Sequence, residues 1–236
     1  PEALHESFYY VGHKQILGLF PATGNRVYLF YMIPRGAYER IKQEGIPALT
    51  QDWTRIAPAF ASLFANLADW SQTAYMPTGR VRTPCWVADG AALIGDAAHA
   101  MNPHASQGRM QAMVDAMTLA DMIPACLAAG DCSAARLSAY EAARRPQVTM
   151  LQRLADQQVF YWNTGNPLIA WLRDRVFRTL DRNARLRYQV LSTTAGLRKT
   201  APLSVIDRLI AAGFLPDPYP MPHADTSSTA RLHGHD

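Results

Sequence analysis

Cysteine is scarce in this sequence: only Cys85, Cys126 and Cys132 occur, widely spaced and odd in number. No disulfide framework and no Cys-x-x-Cys pair is therefore available, and the three read as small buried or half-buried residues. The histidines (His5, His13, His99, His104, His223, His233 and His235) make no metal-ligand spacing either, so no metal is expected. Nowhere do about 18 uncharged apolar residues run together, which excludes a spanning helix from the expectations. The first residues, Pro1-Glu2-Ala3-Leu4-His5-Glu6, lack the basic and apolar regions of a signal peptide. A cytoplasmic location follows as the expectation, and a proline in place of methionine at position 1 reads as a start inside a longer protein. No internal repeat is visible.

What is present fits a soluble globular protein of one large domain or two small ones: 236 residues, 49% hydrophobic and 18% charged. Acidic residues thin out in one block. Residues 144–200 hold 11 basic and 3 acidic side chains and so carry the whole basic excess of the chain. These arginines are interleaved with Leu, Val and Phe at helical spacing and belong to no nucleic-acid module, so the block reads as a solvated basic face with no nucleic-acid partner.

Along the chain, "QILGLFPATGNRVYLFYMIP" reads as two strands joined at Thr23-Gly24-Asn25. In its second run Tyr28, Phe30 and Met32 share one face and Leu29, Tyr31 and Ile33 the other; either face is able to line a pocket for a flat apolar ligand, beside the commoner role of sheet core. Residues 37–44 and about 49–67 read as helices, the second bent near Pro58. An extended segment follows to Trp86, then an Asp89-Gly90 turn and a strand, Ala91 to Ile94, apolar on both faces as in a parallel sheet. Gln107 to about Ala128 is expected as a long helix, and Ala134 to Arg144 as a second that stops before Pro146. Asn166-Pro167 caps a further helix with the stripe Ile169, Leu172, Val176 and Leu180, and Gly196 and Gly213 read as residues just past later helix ends. The fold class is α/β, with an α+β front half and a helical back half. The expected divisions are 1–86, a sheet with helices; 87–146, the motif described next; 147–215, helical; and 216–236, a disordered tail.

The stretch "GDAAHAMNPHASQGRMQAMVDA", residues 95–116, is longer and chemically richer than a strand-to-helix turn requires. It offers a carboxylate at a strand end, Asp96, and unpaired N–H groups at the start of the following helix. The first suits sugar-like hydroxyls and the second suits partial negative charge, so a polyol joined to an electron-accepting ring is one ligand for both. A plain capped turn is the alternative.

The same stretch resembles the second flavin-binding motif of the FAD-dependent aromatic hydroxylases, the group A flavoprotein monooxygenases, through Gly95, Asp96, Ala97, Ala98, His99, Pro103, Gln107, Gly108, Asp115 and Ala116. "LGLFP" and "RVYLFY" are similar to the substrate-domain sheet of that family, and "LSAYEAARRP" to its Tyr-Glu…Arg-x-Pro helix; the likeness covers most of residues 8–200. It implies the C-terminal part of a monooxygenase fold that uses FAD, with NAD(P)H as reductant, to hydroxylate an aromatic or other electron-rich small molecule through a flavin C4a-hydroperoxide. The implied cofactor-binding residues are Gly95, Asp96, Pro103, Ser106, Gln107, Gly108 and Arg109, with Asp96 on the ribityl chain, Pro103 beside the isoalloxazine and helix-start N–H groups toward its pyrimidine end. His99 is read as a support of the loop, and no catalytic residue is assigned. Ser106 stands where glycine is common, and Met110 where an asparagine often sits, which a thioether cannot replace as a hydrogen-bonding group. The Gly-x-Gly-x-x-Gly element of the family is absent from these 236 residues, so a missing N-terminal segment is the expected partner. Related flavin halogenases or reductases, and a non-catalytic basic helical module, are the alternative readings.

Overall fold

The computed structural model describes residues 6–198 and 200–218. Most of the expected disordered tail, residues 219–236, lies outside the described residues. The front half is built on an antiparallel sheet of three strands in chain order, β1 (Phe8–Val11), β2 (Ile16–Ala22) and β3 (Arg26–Met32). β2 and β3 pair from Ile16↔Met32 to Ala22↔Arg26. Their turn works because Gly24 and Asn25 accept positive φ, 72° and 54°.

Strand alternation gives the sheet two unlike faces. Leu17 and Leu19, opposite Tyr31 and Leu29, bury against Ile41, Leu49 and Trp53 of α1 (Ala37–Ile56) and Phe64 of α2 (Ala61–Phe64). This is the main core of the front half. The other face carries Tyr9, Phe20, Tyr28 and Phe30, with ring centroids 5.2 Å apart for Tyr9–Phe20 and 5.6 Å for Phe20–Phe30. α1 is kinked at Gly45 (φ 86°, ψ 171°) and ends before a 3-10 turn at Pro58–Phe60, so the two expected helices and the bend at Pro58 are present.

After a capped turn at Trp70–Gln72, the chain is irregular until a hairpin of β4 (Val87–Ala88) and β5 (Ala91–Ala92) around Asp89-Gly90. The apolar run Ala91 to Ile94 thus differs from the expected parallel strand. Only its first two residues are strand, paired antiparallel, and Leu93 and Ile94 are each 40% exposed. Among the described residues β4 is the strand within reach, and Leu93 N–H donates to Trp86 O at 2.7 Å.

α3 (Asp96–His99), α4 (Gly108–Ala128) and α5 (Ala134–Trp162) follow. The expected stop before Pro146 is corrected: α5 runs straight through it. An interior proline removes one helix hydrogen bond at a cost of about 3 kcal/mol. The helix persists because anchors lie on both sides of it, Tyr140, Glu141, Arg144 and Arg145 before and Gln152 and Asp156 after, all bonded to the segment 80–115. The back half adds α6 (Pro167–Arg182), α7 (Ala184–Thr194) and α8 (Val205–Ala211), which meet around Leu186, Ile210, Val176 and Leu180. Asn166 Oδ1 accepts from Leu168 N–H at 2.9 Å, the expected cap, and Gly196 and Gly213 hold φ of 76° and 73° past the ends of α7 and α8.

The basic block is a solvated face in part, with Arg153, Arg178, Arg182 and Arg187 exposed, and in part a set of internal ties. Arg144 is buried on Asp115, Arg173 is buried and donates to Trp162 O, and Arg185 bridges Asp207 and Asp217. These arginines tie elements together because one guanidinium supplies five donors in a fixed fork.

Gly18 lies under the Phe30 ring, where an added Cβ would stand 2.4 Å from a ring carbon. Gly18→Ala is expected to displace that ring and lower stability by about 1–3 kcal/mol. Urea denaturation followed by near-ultraviolet circular dichroism checks this; an unchanged midpoint and aromatic signal contradict it.

Candidate functional site

The segment after β5 enters the loop through Gly95, whose φ of 56° and ψ of −137° no other residue adopts without strain. A Cβ here would also stand 3.0 Å from that of Ala112 on α4. The turn drops Asp96 at the first position of α3, where its side chain is exposed and has no hydrogen-bond partner among the described residues. Pro103 opens a 3-10 turn, Pro103–Ala105, and Ser106 follows at φ 53° in the left-handed region. Gln107 is the residue before α4.

Beneath this loop lies a fully buried carboxylate, Asp115. It accepts from Gly95 N–H at 3.0 Å, from His99 Nε2 at 2.6 Å and from Arg144 Nε at 2.9 Å. Arg144 also donates to Gln111 Oε1 at 2.6 Å and to Gln147 Oε1 at 3.1 Å. Burial pushes the Asp115 carboxyl up, but the hydrogen bonds from His99, Gly95 and Arg144 outweigh it and leave the carboxyl below its usual range. Asp115 is thus a charged knot joining the strand end, α3, α4 and α5. The Trp86 ring packs on His99 at 4.9 Å, and the Arg145 guanidinium covers Trp86 at 4.8 Å.

α5 then supplies what a neighbouring strand otherwise would. Tyr140 OH donates to Leu93 O at 3.0 Å, Glu141 accepts from Trp86 N–H at 2.8 Å, and Arg145 donates to Thr83 O at 3.2 Å and Pro84 O at 3.0 Å. Gln152 donates to Val81 O and Ala100 O at 2.8 and 2.9 Å, and Asp156 accepts from Asn102 Nδ2 at 2.7 Å. The backbone between residues 80 and 102 is satisfied partly by side chains of this one helix and partly by its own pairing, as in Val81 N–H to Ala100 O at 3.0 Å.

At the mouth of the loop the N–H groups of Gly108, Arg109 and Met110 have no acceptor among the described residues. A Cβ on Gly108 would meet only Met101, at 3.9 Å, so the backbone there lies open to close approach. The Gln107 side chain is turned inward and donates to Thr194 O at the end of α7, which leaves only its backbone for a ligand. Arg109 and Pro103 are exposed. Gly95, Asp96, Pro103, Ser106, Gln107, Gly108 and Arg109 thus share one loop and one helix start. Sequence reasoning missed Arg144 and gave Asp115 no task, although a buried acid and an arginine at the helix positions facing it are the signal for such a pair.

Asp96 at the start of α3, the glycine-opened start of α4 and the buried ionic knot beneath both make up the candidate site. The chain belongs to the FAD binding domain family, whose sequence pattern matches residues 2–155. It is 33% identical over 182 residues to the kynurenine 3-monooxygenase of Salinispora arenicola, covering 75% of this chain and 36% of that one. It is 28% identical over 141 residues to a probable 2-heptyl-3-hydroxy-4(1H)-quinolone synthase of Rhodococcus erythropolis, covering 60% of this chain and 34% of that protein. Among solved structures, a variant of HpxO from Klebsiella pneumoniae, complexed with FAD, superposes with a TM-score of 0.59 at 28% identity, over 74% of this chain and 47% of that one. PqsL of Pseudomonas aeruginosa, a probable FAD-dependent monooxygenase, shares the fold with a TM-score of 0.60 at 23% identity, over 69% of this chain and 46% of that one. The chain therefore spans about a third to a half of the length of these proteins.

Removing the Asp115 charge leaves Arg144 and His99 buried without their partner, so Asp115→Ala is expected to cost about 3–5 kcal/mol of stability. Because the folded carboxyl lies below its unfolded value, its contribution is present above that value, about pH 4, and is lost as the pH falls through the lower folded one. Denaturant titrations between pH 7 and pH 3 check both points. A parent and an Asp115→Ala variant of equal stability at pH 7 contradict them.

Proposed function

We propose that this chain is the C-terminal part of an FAD-dependent monooxygenase that hydroxylates an aromatic or other electron-rich small molecule, with NAD(P)H as reductant. The observation that carries the reading is the pairing of the exposed, partnerless Asp96 carboxylate with the free N–H groups of Gly108, Arg109 and Met110 on one loop. The donor set fits FAD: a carboxylate accepts from ribityl hydroxyls, and the start of α4 favours negative charge on the flavin pyrimidine. When bound, FAD supplies electron transfer from NAD(P)H and the activation of oxygen.

The remaining work belongs to the residues of the chain. Asp96 holds the polyol, Gly108 lets the backbone approach the ring, and Pro103 stacks beside it. Ser106 carries the turn between them. Met110 gives only a backbone contact, because its thioether does not replace an amide. The open aromatic face of the sheet, Tyr9, Phe20 and Phe30, offers a flat apolar wall for a substrate ring and excludes water from it.

The dinucleotide part of the site is assigned to a segment outside these 236 residues. Support comes from α4, which exposes Met110, Met113, Met117 and Leu127. No helix among the described residues is long and apolar enough to cross a membrane, and the three cysteines are free, in keeping with a reducing cytoplasmic setting.

The test uses the protein together with its preceding sequence. It is expected to purify yellow and to oxidise NAD(P)H faster when members of a panel of phenols and anilines are added; a colourless protein that takes up no FAD overturns the reading. In the same protein Asp96→Ala is expected to weaken FAD binding about 10- to 100-fold, as loss of a charge-assisted hydrogen bond worth about 1.5–3 kcal/mol implies. Equal flavin retention by fluorescence titration returns Asp96 to the role of a turn residue.

A further inference from the structure

A cleft of about 1060 Å³ opens between α5, the segment at Cys85 and Val87, and the chain leading into α8. No residue of the loop 95–110 lines it. Its wall is largely apolar, with Val87, Ala142, Pro146, Met150, Leu154 and Pro202. Ala142, Pro146 and Met150 follow one another at intervals of four, so a single face of α5 makes one side of the cleft. The volume is at the upper end of what small-molecule sites enclose, and such sites combine an apolar wall with a few placed polar groups.

The charged groups of the cleft do not cancel. Three guanidiniums, Arg145, Arg153 and Arg208, line it with one carboxylate, Glu141. Glu141 is already committed: Oε1 accepts from Arg145 Nε at 2.7 Å, and Oε2 accepts from Trp86 N–H at 2.8 Å. The acid beside Arg208 in sequence, Asp207, is held by Arg185 Nη1 at 2.8 Å and by Ser204 Oγ at 2.7 Å. Arg153 and Arg208 remain, both exposed, with no carboxylate or carbonyl partner among the described residues. In a chain where Arg144, Arg173 and Arg185 all bind internal acceptors, two unpaired guanidiniums from two different helices line the same apolar cleft. A guanidinium pairs with a carboxylate through two parallel hydrogen bonds, and the apolar wall favours a hydrocarbon body on the same molecule.

We propose that this cleft is a second binding site, separate from the flavin loop, for a small carboxylate with an apolar alkyl or aryl body. The carboxylate pairs with Arg153 and Arg208, and the body covers Met150, Leu154 and Pro202. An anion without a body leaves the wall in water, and a neutral molecule of the same shape leaves the guanidiniums unpaired, so both features are needed together. The site goes beyond the monooxygenase reading and does not depend on it.

The test is calorimetric titration of the protein with its preceding sequence. Octanoate and cinnamate are set against octanol and cinnamyl alcohol, with acetate and inorganic phosphate as anions that lack an apolar body. At least one of the two acids is expected to bind about ten-fold or more tightly than its alcohol and than either small anion, the worth of a charge-assisted pair. The tighter acid tells an alkyl from an aryl body. Arg153→Gln and Arg208→Gln, both at exposed positions, are each expected to bring the acid close to its alcohol. Ala142→Trp, which fills the apolar side of the cleft, is expected to weaken the acid by a similar factor, with FAD content unchanged in all three variants. Equal affinity for acid and alcohol overturns the site, as does acetate or phosphate binding as tightly as the longer acids. An acid affinity unchanged in both arginine variants also overturns it and places the acid elsewhere in the protein. A parent that holds no FAD overturns the monooxygenase reading alone, because the same titrations judge the cleft with or without flavin.

Discussion

The described structure depends on one buried charge. Asp115 sits in the second turn of α4 with no access to solvent, and a carboxylate in that position is tolerable only when its lone pairs are filled. Its three donors come from three separate elements: the backbone of Gly95, the ring of His99 and the guanidinium of Arg144. A buried ion pair adds little net stability over an apolar replacement, but it permits few geometries. Here it fixes how the strand end, α3 and α5 meet α4, and so where the exposed Asp96 and the free N–H groups stand.

A second constraint follows from the irregular course of residues 80–102. A segment with so little regular structure needs hydrogen-bond partners from elsewhere, and α5 supplies them with side chains over several turns. That demand accounts for the continuity of α5 through Pro146. Stopping the helix there would detach Gln152 and Asp156 from the loop they hold, which outweighs the single backbone bond that the proline forfeits.

Unsatisfied features converge on one region. The Asp96 carboxylate, the free N–H groups of α4, the aromatic face of the sheet and the unpaired atoms of His104 and Asn163 adjoin the loop 95–110 or the last turns of α5. Elsewhere the arginine-rich helices bind back on themselves through carboxylates and carbonyls.

Much of this was legible in the sequence where a signal acts over a few residues. Thr23-Gly24-Asn25 set the hairpin because Gly and Asn accept positive φ; Asn166-Pro167, Gly196 and Gly213 set helix ends by capping and left-handed geometry; and the Gly95–Gly108 pattern pointed to the loop that forms the candidate site. Tertiary structure alone decided that Asp115 is a knot rather than an exposed acid, that Arg144, Arg173 and Arg185 are internal ties, that α5 overrides Pro146 and that β5 pairs antiparallel. The reason is physical: a φ preference or a cap is a property of its own neighbourhood, whereas the energy of a charge, an amide or a proline depends on which distant groups are packed against it, and those partners lie as far apart as Gly95 and Arg144 in the chain.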